Sequence, residues 1–147
     1  MNIEDLIRSA AEVRERAFAP YSNFKVGAAV VTADGKVYTG CNIESASYGL
    51  TMCAERVAIW KAVSEGERSF SQIAIAVDTE QLTPPCGACR QVIWEFCGDV
   101  PVTLANMDGI AETMQMRELL PRAFDSEFLE PSDDQPQSHR EEVTGIE

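Results

Sequence analysis

The amino-acid sequence predicts a layered α/β domain, in which a central mixed β-sheet of about five strands has helices on its two faces (α/β/α). Three observations support this prediction. Segments with the apolar spacing of a helix alternate with short segments rich in Val, Ile and Ala. An Asp-Gly turn joins two of the strand-like segments. The 147 residues, 45% of them hydrophobic, suit one domain with its own core.

The first part of the chain predicts a helix followed by a β-hairpin. Between residues 3 and 18, apolar side chains recur mostly at spacings of three and four, so we expect an amphipathic helix that ends before Pro20. Residues 25–32 and 37–43 are rich in Val, Ala, Tyr and Thr and flank the Asp-Gly turn. They are therefore expected to pair as a hairpin.

The second part predicts two helices, three strands and a helical turn. The apolar spacing becomes helical after Met52, and Gly66 is the expected stop. Residues 72–77 are almost entirely apolar, as in a strand that is covered on both faces. The remaining predicted elements are a helix at 87–97, strands at 100–105 and 112–116, and a helical turn at 117–120.

Composition divides the chain into a folded body, residues 1–125, and an acidic C-terminal tail, residues 126–147. The tail is rich in Ser, Asp, Gln, Pro and Glu and has little to bury, which predicts a flexible segment. The formal net charge is −12, and this acidity argues against a nucleic-acid polymer as partner. The sequence has neither a secretion signal nor a long apolar run, so we expect a cytoplasmic protein without a membrane partner.

Three of the five cysteines have the spacing of metal ligands. Cys53 lies at one predicted helix start, and Cys86 and Cys89 form a Cys-x-x-Cys at the next, directly after Pro85. Helix N-termini lower the pKa of thiols and so favour the thiolate, which is a preferred zinc ligand. Three protein ligands with one open position are typical of a catalytic zinc site. We therefore predict Zn²⁺ as cofactor, provided that both helix starts meet at the same edge of the sheet.

Two residues beside the first cysteine have predicted roles at this metal site. Glu55 is the candidate proton shuttle, because a carboxylate next to a zinc-activated water can take and deliver its proton. Three thiolates on one divalent ion leave an excess negative charge. Arg56 and the two helix dipoles are expected to offset that charge.

Other interpretations of the cysteines are less well supported. A Cys-x-x-Cys pair also occurs in thioredoxin-like redox proteins. A redox pair does not account for the additional Cys53 and Glu55, which a zinc site explains. A structural zinc needs a fourth ligand. Cys41 and Cys97 are remote from the motifs and His139 lies in the tail. A zinc-stabilised binding module without catalysis stays open as the alternative from another class of protein.

Together the motifs resemble those of the cytidine deaminase family, in its small class with three cysteine ligands. The similarity rests on Cys-Ala-Glu-Arg at 53–56, Pro-Cys-Gly-Ala-Cys-Arg-Gln at 85–91 and Gly-Cys-Asn-Ile-Glu at 40–44, and it extends from about residue 3 to Phe124. It implies the fold of that family. It also implies hydrolytic deamination of cytidine and 2′-deoxycytidine, in which Glu55 shuttles protons beside a zinc-activated water.

The same resemblance implies a set of substrate-binding residues. Asn42 and Glu44 would hydrogen-bond the ribose 3′-hydroxyl, and Phe24 would pack on the base. Tyr48 and Phe124 would complete the active site of a neighbouring subunit in a homotetramer. The full implied set is Phe24, Asn42, Glu44, Tyr48, Ala54 and Phe124.

Further residues bear on the choice of substrate. Deaminases that act on polynucleotides generally have a His-x-Glu motif in basic surroundings. In this chain the first ligand is Cys53 and the composition is acidic, which favours a free nucleoside as the substrate. Blasticidin-type deaminases share the zinc motifs but tend to lack the Asn-Ile-Glu segment, and they are the alternative enzyme. The loop at 78–83 lacks the Gly and Pro that are common there, and the tail is long for the family. Either departure could alter the tolerance for modified cytidines.

Overall fold

A five-stranded mixed sheet with helices on both faces organises the protein in a computed structural model, which describes residues 1–129. The sheet order is β2-β1-β3-β4-β5. The predicted layered fold is therefore confirmed. The helices are α1 (Ile3–Arg14), α2 (Ala54–Ser64), α3 (Gly87–Cys97) and α4 (Met116–Leu119), the strands are β1 (Val26–Thr32), β2 (Val37–Cys41), β3 (Phe70–Val77), β4 (Pro101–Ala105) and β5 (Ala111–Gln115), and short 3₁₀ turns lie at Tyr48–Leu50 and Ser126–Leu129.

The strand directions bring two helix starts to the same end of the sheet. Strand β1 is antiparallel to both β2 and β3, so β2 and β3 run in the same direction. Strand β4 is parallel to β3, and β5 is antiparallel to β4. Helix α2 follows β2 and helix α3 follows β3. Both helices therefore begin at the carboxyl ends of strands with a common direction, where open α/β sheets bind their ligands.

The two faces of the sheet bury different side chains. In β1, Ala29 packs on the side of α1, whereas Val30 packs on the side of α2 and α3. In β3, Ala74 and Ile73 alternate in the same way. This period of two divides the core into a layer of small residues under α1 and a larger layer under the other helices.

Two glycines allow helices to approach the sheet closely. A Cβ atom added at Gly27 would lie 1.9 Å from the carbonyl oxygen of Ala10 in α1. A Cβ atom added at Gly40 would lie 2.4 Å from the backbone nitrogen of Ala58 and 2.6 Å from the carbonyl oxygen of Ala54 in α2. Any larger residue at Gly40 would therefore displace the helix whose first turn follows Cys53.

We predict that Gly40→Ala lowers the free energy of unfolding by about 1–3 kcal/mol, the usual cost of overpacking. The zinc content should fall with it, because α2 positions one of the predicted ligands. Thermal unfolding and metal analysis check both effects. Gly49→Ala is the matched control, since a Cβ atom at Gly49 would meet no atom within 4 Å. Equal stability and zinc content in the two variants would contradict the prediction.

The first helix is shorter than predicted. Helix α1 ends at Arg14 and does not continue to residue 18. The backbone nitrogen of Phe18 donates to the carbonyl oxygen of Asn42 at 3.0 Å, and its carbonyl oxygen accepts from the backbone nitrogen of Glu44 at 2.8 Å. These long-range hydrogen bonds compete with the helix, and they also place Ile43 in isolated bridges beyond the end of β2.

The first residues of the predicted tail have a defined conformation. Ser126–Leu129 form a 3₁₀ turn, and the ring of Phe128 stacks on that of Phe124 with 5.5 Å between the centroids. The division at residue 125 remains a prediction. Residues 130–147, including His139, lie outside the described residues. Within residues 1–129, no helix has the length and apolar character needed to cross a membrane.

Candidate metal centre and active site

Three cysteine sulfurs converge where helices α2 and α3 begin. Cys53 is the N-cap of α2, Cys86 is the N-cap of α3, and Cys89 lies in the first turn of α3. Their Sγ atoms all lie within 4.8 Å of one another, and those of Cys53 and Cys86 are 3.9 Å apart. Two sulfurs bound to one tetrahedral zinc at about 2.3 Å are separated by about 3.8 Å. The sulfur positions therefore fit a zinc ion.

The number of nearby ligands also fits a catalytic zinc. In the described part of the chain, no fourth His, Cys, Asp or Glu joins this group. A site with three thiolates is suited to zinc, and the missing fourth protein ligand leaves a position for water or substrate. Cys97 lies outside the group and packs against the core, where burial raises the pKa of its thiol to about 12. Cys41 also lies outside the group.

The thiols are not electrostatically equivalent. A hydrogen bond from Cys89, and then one from Arg56, lowers the pKa of Cys53 to about 5 despite partial burial. The Nη2 atom of Arg56 lies 3.3 Å from the Cys53 sulfur. The Cys89 thiol donates the shared proton, and this raises its own pKa. Because zinc binds thiolates, metal binding would release that proton.

Glu55 lies beside the sulfurs in the first turn of α2. Only 4% of the residue is exposed, and this burial raises the pKa of its carboxyl group above the ordinary value. The Cys89 thiol opposes that rise, whereas negative charge on Cys53 adds to it. A polar group that is this well shielded from bulk water can exchange protons with a bound molecule without losing them to solvent.

A cavity of about 240 Å³ opens beside Cys53, Glu55 and Cys86. Three of the predicted substrate contacts, Phe24, Asn42 and Ala54, line the same cavity. Its surface is mostly apolar, which suits a flat heterocyclic base. The lining residues that the sequence analysis did not name are Val26, Thr51, Met52, Ile75, Val77 and Pro84. Thr83 and Pro85 also line the cavity, and they belong to the loop at 78–83 and to the second cysteine motif.

The other predicted contacts lie outside this cavity. Glu44 and Tyr48 line a neighbouring surface depression, and Thr51 borders both spaces. Tyr48 is 74% exposed, and its ring meets the ring of Tyr21 edge-on. Phe124 lines a separate surface pocket. One chain therefore brings together the three sulfurs, Glu55 and three of the six predicted substrate contacts.

The side chain of Asn42 is held in a fixed orientation at the cavity wall. Its Oδ1 atom accepts from the backbone nitrogen of Val26 at 2.8 Å, and its Nδ2 atom donates to the carbonyl oxygen of Phe24 at 2.7 Å. An amide side chain has a second N–H and a second lone pair. Asn42 thus keeps hydrogen-bonding capacity for a ligand while it anchors the segment of Phe24.

The loop before the second cysteine motif borders the cavity through Thr83 and Pro84. The hydroxyl groups of Thr79 and Thr83 are 3.0 Å apart, and this contact closes the loop on itself. Arg90 donates to the carbonyl oxygen of Pro85 at 2.9 Å and so fixes the approach to Cys86. The Pro-Pro pair directly before the first cysteine of the motif is the sequence feature that could have predicted this wall.

Fold and site together define a zinc enzyme of the layered α/β type, with a buried carboxyl group beside an incomplete set of protein ligands. More specifically, the chain belongs to the cytidine and deoxycytidylate deaminase family. The model of the "Cytidine and deoxycytidylate deaminase zinc-binding region" matches residues 1–104. The resemblance predicted from the motifs is thereby confirmed.

Relatives with this family name match most of the chain. A cytidine deaminase of Sporosarcina psychrophila is 52% identical over 130 residues, which are 88% of this chain and 96% of the relative. A cytidine deaminase of Halalkalibacterium halodurans is also 52% identical, over 88% of this chain and 98% of the relative. The crystal structure of cytidine deaminase from Burkholderia pseudomallei superposes with a TM-score of 0.82 at 50% identity, and the match covers 84% of this chain and all of that one (100%).

Proposed function

We propose that this protein is a zinc-dependent cytidine deaminase that acts on free cytidine and 2′-deoxycytidine. Water replaces the exocyclic amino group at C4, so that the C4–N bond breaks, a C4–O bond forms, and the products are the uridine nucleoside and ammonia. The decisive observation is that three zinc-competent sulfurs lie together at two helix starts, and that two of them, those of Cys53 and Cys86, line one cavity of about 240 Å³ with the buried Glu55. The relatives named cytidine deaminase support the choice of substrate.

The chemistry divides between the metal and the protein. Zinc held by Cys53, Cys86 and Cys89 would lower the pKa of water at the open position and so supply the nucleophile. Glu55 then takes a proton from the attacking oxygen and delivers it to the departing amino nitrogen. Arg56 offsets the excess negative charge of three thiolates by its contact with the Cys53 sulfur at 3.3 Å. All of these residues lie at the N-termini of helices α2 and α3.

Substrate binding uses the apolar cavity and its polar edge. The ring of Phe24 lies on the cavity wall, where it can pack on the pyrimidine. Asn42 has a spare donor and acceptor for a ribose hydroxyl, and Glu44 follows it two residues later. Ala54 is fully buried next to the first ligand and leaves room for the base. The net charge of −12 favours a free nucleoside over a nucleic-acid polymer.

We further propose a homotetramer with shared active sites. Large apolar side chains are exposed on one chain, among them Tyr48 at 74% and Phe124 at 55%, and a second copy would cover them. The segment of Phe124 is held against α3, because Gln91 donates to its carbonyl oxygen at 2.7 Å. The indole nitrogen of Trp94 donates to Asp125 at 3.0 Å. A cytoplasmic location likewise remains a prediction from the sequence.

A substrate panel tests the proposed function. The panel contains cytidine, 2′-deoxycytidine, N4-substituted cytidines and blasticidin S, and the ultraviolet spectrum of each reports loss of the amino group. We expect the first two to be converted. Protein that retains zinc and leaves cytidine unchanged would refute the proposal. Conversion of blasticidin S alone would favour the alternative enzyme, and conversion of N4-substituted cytidines would show that the site tolerates substituents on the exocyclic nitrogen.

Ligand binding separates the enzyme from a zinc-stabilised binding module. We expect uridine, as the product, to stabilise the folded protein. At 100 times its dissociation constant, a ligand adds about 2.7 kcal/mol to the free energy of unfolding. Thermal melts with and without uridine measure the effect, and adenosine serves as the control ligand. A module that does not bind pyrimidine nucleosides would show the same melting temperature in all three samples.

A further inference from the structure

A single carboxylate holds the turn that leads to Phe24. The Oε1 atom of Glu44 accepts from the backbone nitrogens of Tyr21 and Ser22 at 2.9 and 3.1 Å. Its Oε2 atom accepts a hydrogen bond from the Ser22 hydroxyl group. A carboxylate offers about four acceptor positions. Three of them hold the turn, and about one remains for a ligand such as a sugar hydroxyl.

The Ser22 hydroxyl also contacts the segment of Phe24. Its Oγ atom accepts from the backbone nitrogen of Phe24 at 3.0 Å while it donates to Glu44. On the other side of the same segment, Asn42 binds the carbonyl oxygen of Phe24 at 2.7 Å. One hydroxyl group therefore links the proposed sugar-binding carboxylate to the proposed base-binding aromatic.

The turn has a strained backbone conformation next to Ser22, so it depends on the hydrogen bonds that Ser22 makes. Asn23, between Ser22 and Phe24, has a φ of 55°, in the left-handed region that non-glycine residues seldom adopt. Its backbone nitrogen donates to the carbonyl oxygen of Ala19 at 3.0 Å. Without the Ser22 contacts, the turn would lose the hydrogen bonds on both sides of this residue.

We propose that Ser22 is a positioning residue, whose hydroxyl group couples sugar recognition at Glu44 to base recognition at Phe24. The inference rests on the proposed function, since it assumes that a nucleoside occupies the cavity. Loss of the hydroxyl frees the Glu44 carboxylate to rotate and leaves the Phe24 nitrogen without its acceptor. Ser22 is exposed, so its removal leaves the core intact. The Ser22 hydrogen bond is also the foremost cause of the lowered pKa of Glu44.

The first experiment compares Ser22→Ala with the wild type as full-length zinc-loaded enzyme. We expect the KM for cytidine and the Kd for uridine to rise about tenfold, as for a lost hydrogen bond to a charged group, while kcat changes less than about twofold. Ser22→Thr should restore both constants because it keeps the hydroxyl. Ser9→Ala is the matched control, since the Ser9 hydroxyl donates only to the carbonyl oxygen of Asp5 within α1.

A double-mutant cycle tests the coupling itself. In a Glu44→Gln background, Ser22→Ala should raise KM by less than about threefold, because the carboxylate that the hydroxyl orients is already gone. In a Phe24→Leu background, the rise in KM caused by Ser22→Ala should likewise be smaller than in the wild type. The proposal would be overturned if Ser22→Ala raised KM by the same factor in both backgrounds as in the wild type. So would an unchanged KM in an active, folded Ser22→Ala enzyme.

These outcomes are distinct from failure of the proposed function. Wild-type protein that binds zinc but neither converts cytidine nor binds uridine would refute the function and the inference together. An active wild type with an unaffected Ser22→Ala variant would refute the inference alone. A fall in melting temperature without a change in KM or Kd would assign Ser22 a purely structural role and would also overturn the proposal.

Discussion

Glu55→Gln should keep its zinc and lose at least about 10²-fold in turnover, the usual contribution of a positioned acid–base group. Glutamine has nearly the same shape and size as glutamate, so the first turn of α2 and the three sulfurs should stay in place. The amide cannot accept a proton from water and return it to the leaving amine. Because Glu55 is 4% exposed, bulk water cannot easily replace it as the proton carrier. Steady-state kinetics and metal analysis on the same preparation measure the two quantities.

Glu95→Gln is the matched control for this variant. Glu95 is an exposed residue of α3, and it lines none of the cavity described above. Its replacement removes the same charge without touching the site, so turnover should stay at the wild-type level. A Glu55→Gln enzyme with full zinc and undiminished turnover would exclude Glu55 as the shuttle. That outcome would favour a mechanism in which another group moves the protons.

The metal centre could be predicted from the sequence because its determinants are local. Each cysteine motif marks a helix start, and a Cys-x-x-Cys places two sulfurs about one turn apart whatever the rest of the chain does. The predicted bounds of α3, 87–97, agree with the structure for the same reason, since Pro85 and Gly98 delimit the helix locally. The sheet topology decides only whether the starts of α2 and α3 lie close together. The sequence analysis therefore made this closeness a condition of the predicted zinc site.

The substrate side of the site depends on contacts between distant parts of the chain. The resemblance named Phe24, Asn42 and Ala54, which line the cavity, but the sequence did not show which contacts hold them in place. Helix α1 was predicted too long because its C-terminal end is determined by distant residues. The backbone of Phe18 pairs with that of Asn42 and Glu44, which follow it by more than twenty residues. The contacts of Ser22 with Glu44 join the same two distant segments. For Phe124, the proposed role needs a second subunit, so neither the sequence nor one chain can test it.

The five cysteines allow a matched test of the zinc centre. Cys89→Ala should lower bound zinc well below one ion per chain and reduce turnover more than Glu55→Gln does, because both the nucleophile and the charge balance depend on the metal. The melting temperature should fall as well, since zinc binds the folded site and stabilises it by linkage. Cys97→Ala removes a thiol from the same helix, but this thiol packs against the core, outside the sulfur cluster.

The comparison between these two variants separates metal binding from packing. Cys97→Ala creates at most a small cavity, so it should keep its zinc and its turnover and lose only about 1 kcal/mol of stability. Metal analysis by mass spectrometry, activity and thermal melts give the three readouts. Equal zinc loss in both variants would mean that the metal responds to helix α3 as a whole and not to the Cys89 sulfur. Full zinc occupancy in Cys89→Ala would show that two thiolates suffice, and the three-cysteine site would then have to be abandoned.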